Sequence, residues 1–489
     1  MLSNTWLRHF PPLQKAWLQV AGTISFLRHK RRVPHLHPTA PDTVTPDMEP
    51  QPLEGYANAA HFRPGQTVTF FLKALQPHNH LQVQHLSEDN TWLTLAEHFF
   101  GQISQVESFE EAQHGCNWQP NWAYTLLTEA AQGYYRALLS TPAAAGATAE
   151  IHFLVGQVSA GAEVVVLAPA TTWLAYNAYG GQSLYRNALS TEPVSFVSAL
   201  RPNTALTYQL THSMQHNLQI EAHIFRWMHR QANADLLPDY YLEAHPMLLA
   251  QYKVVVLAYH AEYFSEKMYQ TLRHLVGQQQ KSLLAVGGNQ AYWQVKWHQN
   301  FTQLECRKNT SFFQNTREPG RLFRHTPFPE AALFGVQYSE TGMGTYAPYQ
   351  VVAPDHWLYK RLAVKRGQLF GEKGIDGLPI CGDETDKAGW ASPKNTVVLA
   401  RGLNKTTASA DMDLYDPADP RWDGSGGGEI AFTELSGQHG VLATGSIQSG
   451  AGLGVDLILT GLVQNFMQKY VGSASRGTTA AETEAAPGA

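Results

Sequence analysis

Four short apolar runs constrain the fold of this chain more than any other feature. They are EVVVLAP (163–169), KVVVLAY (253–259), SLLAVGG (282–288) and TVVLARG (396–402). Runs of this length, rich in valine and leucine, are typical of strands that are buried on both faces. Helical patterns at 221–232 and 265–278 lie between them. The alternation predicts an α/β fold based on a mostly parallel, doubly wound sheet with helices on both faces.

The residues before these runs have a different, turn-rich pattern. Arg63-Pro64-Gly65-Gln66 is a turn signal, and an alternating strand follows it from Thr67 to Leu72. GYYRALL (133–139) and IHFLV (151–155) are further strand candidates. This part of the chain is therefore predicted to form a small antiparallel β-sandwich.

The predicted organisation has four parts. Residues 1–52 are predicted to be an N-terminal amphipathic helix and a proline-rich linker, and residues 53–157 the β-sandwich. Residues 158–472 are predicted to be the α/β domain. The small, polar tail 473–489 is predicted to be disordered.

Composition argues against several classes of function. The chain has 489 residues, a net charge of −5 and no long basic block, so nucleic acid is not expected as a main partner. No apolar run approaches the roughly 18–20 residues of a membrane span, and without a clear secretory signal a cytoplasmic location is expected. Cys116, Cys306 and Cys381 are far apart, which argues against a disulfide framework or a structural zinc site.

Polar side chains follow three of the apolar runs. In open parallel sheets, ligands bind beyond the carboxyl ends of the strands, so we expect these side chains to lie close together. They are Tyr176, Tyr179 and Tyr185 after the first run, His260 and Glu262 after the second, and Asn289 after the third. If the second strand continues far enough, its period of two places His260 and Glu262 on one face.

The chemistry of this set favours a metal over a nucleophile. The post-strand segment YHAEYFS contains neither a GxSxG motif nor a cysteine. Two phenolates and a carboxylate are hard oxygen donors whose three negative charges suit a ferric ion. Such an ion can polarise a carbonyl or lower the pKa of a bound water. Each residue alone also has a structural interpretation, for example tyrosines as packing residues or Asn289 as a turn residue.

Several motifs, taken in order, resemble the large-subunit domain of N,N-dimethylformamidase over about 160–470. They are TTWLAYNAYGGQSLY, Ala199-Leu200-Arg201-Pro202, AYHAEYFS, GGNQAYWQV, CGDETD and ATGSI, and the GY…RPGQ opening of the sandwich fits as well. The resemblance implies a core similar to class I glutamine amidotransferases but without their nucleophile. It also implies a mononuclear iron (Fe3+) bound by two tyrosines and one glutamate.

The resemblance also implies a role for each residue. Tyr176 in LAYN and Glu262 in HAEY match two metal ligands. Tyr185 in GQSLY is the better match to the second tyrosine, after a shorter intervening segment, with Tyr179 as the alternative. The catalytic positions are matched by His260, Asn289 and Glu384 of CGDETD. Without the family, Glu384 would be interpreted as part of an exposed acidic turn.

These positions imply an amidohydrolase that cleaves a small linear amide or a related C–N bond. Glu384 would act as general acid or base, while His260 and Asn289 orient the reacting groups and stabilise the oxyanion. The family uses a separate small subunit, for which nothing in this chain substitutes, and a homo-oligomer is left open. The alternative is a non-catalytic binding or scaffold protein whose sandwich recognises carbohydrate or protein, because the 12 tryptophans suit stacking on sugars as well as a large core.

Overall fold

The computed structural model describes residues 51–106, 110–142, 148–185, 194–208, 216–308, 322–405 and 427–472. Residues 1–50 of the predicted helix and linker, and the predicted tail 473–489, lie outside these ranges. Among the helices within them, none is both long enough and apolar enough to cross a bilayer.

The first part of the chain forms two sheets that share one apolar core. Their elements are β1 (Leu53–Ala57), β2 (His61–Phe62), β3 (Thr67–Ala74), β4 (Asn79–Leu86), β5 (Trp92–Phe100), α1 (Glu111–His114), β6 (Trp122–Thr125), β7 (Gly133–Ser140) and β8 (Thr148–Val155). One sheet has the order β1-β3-β6 and the other β2-β8-β7-β4-β5. Phe70, Leu81 and Phe153 from both sheets pack in the same cluster, because alternate side chains of a strand point to one face.

The remaining elements begin at residue 164. In chain order they are β9 (Val164–Ala168), α2 (Ala170–Tyr176), β10 (Phe196–Ser198), β11 (Leu206–Thr207), β12 (His216–Asn217), α3 (Leu218–Ala232), β13 (Asp235–Pro238), α4 (Tyr241–Ala244), α5 (Pro246–Leu249), β14 (Val254–Tyr259), β15 (Tyr263–Ser265), α6 (Glu266–Gly277), β16 (Ser282–Gly287), β17 (Trp293–His298), β18 (Gln303–Glu305), α7 (Glu330–Phe334), β19 (Gln337–Ser339), β20 (Thr345–Ala347), β21 (Tyr349–Val351), β22 (Leu369–Phe370), β23 (Cys381–Asp383), β24 (Thr385–Lys387), β25 (Thr396–Gly402), β26 (Glu429–Ser436), β27 (His439–Ala443) and α8 (Leu457–Tyr470).

The largest sheet has nine strands in the order β13-β9-β14-β16-β27-β26-β25-β21-β22. Neighbours from β13 to β27 are parallel, and neighbours from β27 to β22 are antiparallel. Val256 of β14 packs with Ile224 of α3 on one face, and Leu257 packs with Leu272 of α6 on the other. Because helices cover both faces, every residue of β14 is buried.

The predicted fold class is therefore wrong. The chain is rich in strands, and its described strands form seven sheets, several of them small and the largest mixed in direction. It is not a mostly parallel, doubly wound fold with a glutamine amidotransferase-like core. One physical reason is visible at 396–402, which forms β25 but pairs antiparallel with both β21 and β26. Valine-rich runs indicate burial, and burial alone does not distinguish parallel from antiparallel neighbours.

Two backbone features end the strands beside the predicted site. Tyr259, the last residue of β14, has a φ of 60° and so turns the chain out of the strand. Gly287 ends the neighbouring β16, and a Cβ placed there would lie 1.6 Å from the carbonyl oxygen of Tyr259. Only glycine permits this approach, which lets the two strands end side by side. The segments that follow, starting at His260 and Gly288, therefore leave the sheet together.

Candidate functional site

Most of the predicted site residues meet beyond the carboxyl ends of β9, β14 and β16. Tyr176 is the last residue of α2, the helix that follows β9, and Tyr185 lies in the irregular segment after it. His260 and Glu262 occupy the connection between β14 and β15. β14 ends before these two residues, so they do not share one face of a strand as predicted. Their side chains are nevertheless in contact, with His260 Nε2 3.2 Å from Glu262 Oε2.

Three oxygen-bearing side chains converge in this cluster. The Tyr176 hydroxyl donates to Glu262 Oε2 at 2.7 Å. The Tyr185 hydroxyl lies 2.7 Å from Glu262 Oε1 and 3.2 Å from the Tyr176 hydroxyl. Glu262 is 2% exposed, so the carboxylate is removed from solvent. The phenols of two separate segments thus both point at one buried carboxylate.

His260 connects this oxygen cluster to Glu384. Its Nε2 lies 3.2 Å from the Tyr176 hydroxyl and 3.7 Å from Glu384 Oε2, while Nδ1 faces the carbonyl oxygen of Gly288 at 3.2 Å. Glu384 lies between β23 and β24 and also accepts a hydrogen bond from Asn289 Nδ2 at 2.7 Å. Its side chain is 20% exposed, more than those of His260 and Glu262. Glu384 is therefore the acid of this cluster that solvent reaches best.

Burial and neighbouring charge shift the pKa values of these groups. Burial raises the pKa of Glu384 to about 7. Burial alone would lower the pKa of His260, but the carboxylates of Glu384 and Glu262 raise it to about 9. Burial also opposes ionisation of Glu262, but its bond to the charged His260 holds its pKa below the usual value. The cluster therefore contains an imidazolium between two carboxyl groups, of which Glu384 exchanges a proton near neutral pH.

Both phenols are held in the neutral form when no cation is nearby. Burial, followed by the charge of Glu262, raises the pKa values of Tyr176 and Tyr185 well above the usual value. A cation between the oxygens would reverse this effect, because coordination favours deprotonated ligands. Oxygens bound at about 2.1 Å on perpendicular bonds lie about 3 Å apart, and the separations here are 2.7–3.2 Å. The residues present therefore fit a small, hard cation.

The candidate centre depends on the tyrosines. Within the described ranges, no three histidine, cysteine, aspartate or glutamate side chains come together in a group that could hold a metal. A cation at this place would need the phenol oxygens of Tyr176 and Tyr185 in addition to Glu262. This donor set is consistent with the predicted ligands and leaves their metal-binding role a prediction.

Tyr179, the alternative ligand, lies elsewhere. Its ring packs beside Tyr56 and Trp118. Burial, followed by the charge of Glu54 of β1, raises the pKa of its hydroxyl above the usual value. The geometry therefore favours Tyr185 over Tyr179 as the second phenol of the cluster.

Sequence reasoning missed Lys308 and Tyr263. The Lys308 ammonium lies 3.4 Å from the centre of the Tyr185 ring and donates to the Tyr263 hydroxyl at 2.7 Å. Burial lowers the pKa of Lys308 to about 8. Nothing in the sequence around this lysine distinguishes it from an exposed one. Tyr263 is part of the quoted HAEY motif, and only its fully buried position reveals it as a neighbour of the site.

Comparisons with known proteins identify a family. Residues 88–464 match the family described as N,N-dimethylformamidase beta subunit-like, C-terminal, and the match begins inside the first two sheets. No curated protein matches this chain. One matching solved structure is Escherichia coli alpha-2-macroglobulin activated by porcine elastase, at 18% identity and a TM-score of 0.15.

The alpha-2-macroglobulin match covers 24% of this chain and 10% of that one, and it supports no conclusion about fold or function. The family match, in contrast, covers most of the chain and confirms the resemblance given by the ordered motifs. The chain belongs to the N,N-dimethylformamidase beta subunit-like family.

Proposed function

We propose that this protein is an iron-dependent hydrolase that cleaves a small amide or a related C–N bond. The observation that supports this most is the convergence of the Tyr176, Tyr185 and Glu262 oxygens within 2.7–3.2 Å of one another, beside His260. In the proposal these three residues hold a mononuclear ferric ion. The family name supports a hydrolase of this general kind, and the metal and the substrate are proposed here.

The bound ion would supply Lewis acidity toward the amide carbonyl or a water molecule. Glu384 takes a proton from the attacking water and later delivers it to the departing amine nitrogen, so that water is added across the C–N bond. A pKa of about 7 suits both steps, because the group accepts and releases a proton near neutral pH. Its partial exposure supports contact with substrate.

His260 and Asn289 would orient Glu384 and stabilise negative charge. The cationic His260 lies within 4 Å of both carboxylates, at 3.2 Å from Glu262 and 3.7 Å from Glu384. Asn289 donates one amide hydrogen to Glu384, which supports an orienting role. Asn289 has a φ of 51°, and its backbone N–H donates to Asp386 at 2.7 Å, so its position is fixed.

Iron analysis together with a visible spectrum tests the proposal. The purified protein should bind close to one iron per chain and show tyrosinate-to-iron charge-transfer colour. Glu262→Gln should lose the metal, because it removes the charged ligand. Asp235→Asn is a matched control, since it alters a carboxylate that is 1% exposed and lies at the opposite end of the parallel strands.

Two results would count against the proposal. The first is a wild-type chain that stays colourless and metal-free after incubation with ferric or ferrous iron. The second is a Glu262→Gln protein that keeps both iron and colour. A metal-free chain that instead bound carbohydrate or protein would favour the alternative of a binding or scaffold protein.

A further inference from the structure

Glu221, in the first turn of α3, is a fully buried acid outside the cluster of site residues. Its Oε1 accepts a hydrogen bond from the Tyr134 hydroxyl at 2.6 Å, and its Oε2 accepts one from Trp173 Nε1 at 3.0 Å. His216 Nε2 lies 2.5 Å from the same Oε2. Burying a carboxyl group is costly unless partners of this kind satisfy its oxygens. Glu221 therefore joins three segments that are distant in the chain.

The bond to Trp173 fixes the helix that carries Tyr176. α2 has only seven residues, and Trp173 lies three positions before Tyr176, so the two are neighbours on the helix surface. The amino end of α2 is held by another buried acid, since Asp239 accepts from the backbone N–H and the hydroxyl of Thr171 at 3.0 and 2.8 Å. An isolated helix this short is not stable in water. The orientation of α2, and with it that of Tyr176, therefore depends on these contacts.

The contact with His216 leads to the other side of the site. The His216 ring packs edge-on against the Tyr259 ring, with ring centres 4.9 Å apart and planes at 79°. Tyr259 is the last residue of β14, and its positive φ directs the chain toward His260. Glu221 is thus linked through a second partner to the turn that precedes His260.

We propose that Glu221 is a positioning residue, which acts through these two partners to hold Tyr176 and His260 in the arrangement of the candidate site. Its consequence for metal binding rests on the function proposed above. Hydrogen bonds weaken steeply when their geometry changes, so one carboxyl group that satisfies several partners fixes where those partners lie. Tyr134 belongs to β7, so the first two sheets also help to fix this carboxyl group.

The test replaces Glu221 and follows two ring signals of the metal-free protein by NMR. Glu221→Met is close in size but removes the oxygens that accept these bonds. The ring signals of Tyr176 and His260, identified by their absence from Tyr176→Phe and His260→Gln, should shift because both rings lose their support. Glu221→Gln should retain both signals, since its oxygen can replace Oε2 and its NH2 group can donate to the Tyr134 oxygen. Because glutamine also lacks the charge, this rescue would assign the effect to hydrogen bonds.

Asp235→Leu is the matched control. Asp235 is 1% exposed and accepts hydrogen bonds at 2.7 Å from Gln132 Nε2, the backbone N–H of Ser159 and the Tyr252 hydroxyl. It lies at the amino end of β13, whereas the site lies beyond the carboxyl ends of the neighbouring strands. This variant should lose stability as Glu221→Met does, but should leave both ring signals unchanged.

Iron binding tests the functional consequence. In Glu221→Met, iron affinity should fall by roughly 10- to 100-fold, as is typical when groups that orient metal ligands are removed. The charge-transfer band should also shift, which a loss of global stability alone would not cause. Glu221→Gln and Asp235→Leu should keep the affinity and the band of the wild type.

Two results with the metal-free protein would overturn the positioning role, whether or not the wild type binds iron. The first is unchanged ring signals in Glu221→Met. The second is equal shifts in Asp235→Leu, because such shifts would report a general loss of stability. If Glu221→Met does not fold, Glu221→Asp withdraws the carboxyl group by one methylene, and the same two results decide.

The outcomes with iron separate this inference from the metal centre. A wild type that binds no iron would overturn the metal centre, while shifted ring signals would still support the positioning role. Shifted ring signals with unchanged iron affinity and an unchanged band would show that Glu221 does not set the geometry of the candidate site, and would overturn the inference.

Discussion

The electrostatic interaction between Glu384 and His260 gives a prediction that can be tested without a substrate. The two side chains lie 3.7 Å apart, and the Glu384 carboxylate is the largest influence that raises the pKa of His260 to about 9. At an effective dielectric constant of about 20, unit charges at this distance interact by about 4 kcal/mol, which corresponds to a pKa change of about 3. Because Glu384 is partly exposed, Glu384→Gln should lower the pKa of His260 by roughly 1 to 3.

The measurement is an NMR titration of the metal-free protein with histidine labelled at Cε1. The signal of His260 is identified by its absence from His260→Gln. Glu434→Gln, which changes an exposed carboxylate paired with Lys469, should leave the titration unaltered. An unchanged pKa of His260 in Glu384→Gln would refute the electrostatic coupling. With iron bound, Glu384→Gln should keep its metal and lose activity by roughly 10²- to 10⁴-fold. Unchanged turnover would mean that Glu384 is only part of an acidic turn.

Three further predictions concern the rest of the molecule. Burial lowers the pKa of His61 to about 4. The folded chain therefore binds a proton at His61 less well than the unfolded chain does. The free energy of unfolding should for this reason fall by roughly 3 kcal/mol as the pH decreases from 6.5 to 4. His61→Gln should reduce the slope of the free energy of unfolding against pH in this window by up to the equivalent of one bound proton. An unaltered slope in denaturant titrations at these pH values would contradict this. Cys381 is fully buried with its pKa raised to about 12, so Cys381→Ser should retain turnover; a folded but inactive variant would show that the thiol is used. Leu257→Ala should lower the free energy of unfolding by roughly 2–5 kcal/mol in urea, because Leu257 is fully buried in the core, and a loss below about 1 kcal/mol would mean that this face of β14 is loosely packed.

The sequence predicted which side chains come together better than it predicted the architecture around them. The apolar runs at 163–169, 253–259 and 282–288 form three adjacent parallel strands, and the polar residues after them come together except for Tyr179. The run at 396–402 has the same composition but pairs antiparallel on both sides. Strand direction depends on the connections, and β26 and β27 are joined by a tight turn that forces antiparallel pairing. The error in the fold class came from these connections.

Individual residues also differ in whether the sequence indicated them or only the fold revealed them. Glu384 follows no apolar strand, and only the family motif CGDETD indicated it. In the structure it is hydrogen-bonded to Asn289, which lies 95 positions earlier in the chain. Lys308 had no local signal for its place beside Tyr185, because that place depends on what the fold brings around it. Sequence patterns report burial and strand ends, whereas contacts between distant segments depend on the complete fold.

The wide spacing of the site residues along the chain has a consequence for how the protein is made. Tyr176 and Glu262 are 86 positions apart, and Asn289 and Glu384 are 95 apart. Contacts at such separations form only after the intervening chain has closed, which is slow compared with local structure. A ribosome-bound chain that ends before residue 384 contains Tyr176, Tyr185 and Glu262 but lacks the acid that completes the cluster. The complete cluster is therefore a product of late folding, and a truncated or misfolded chain should not acquire it.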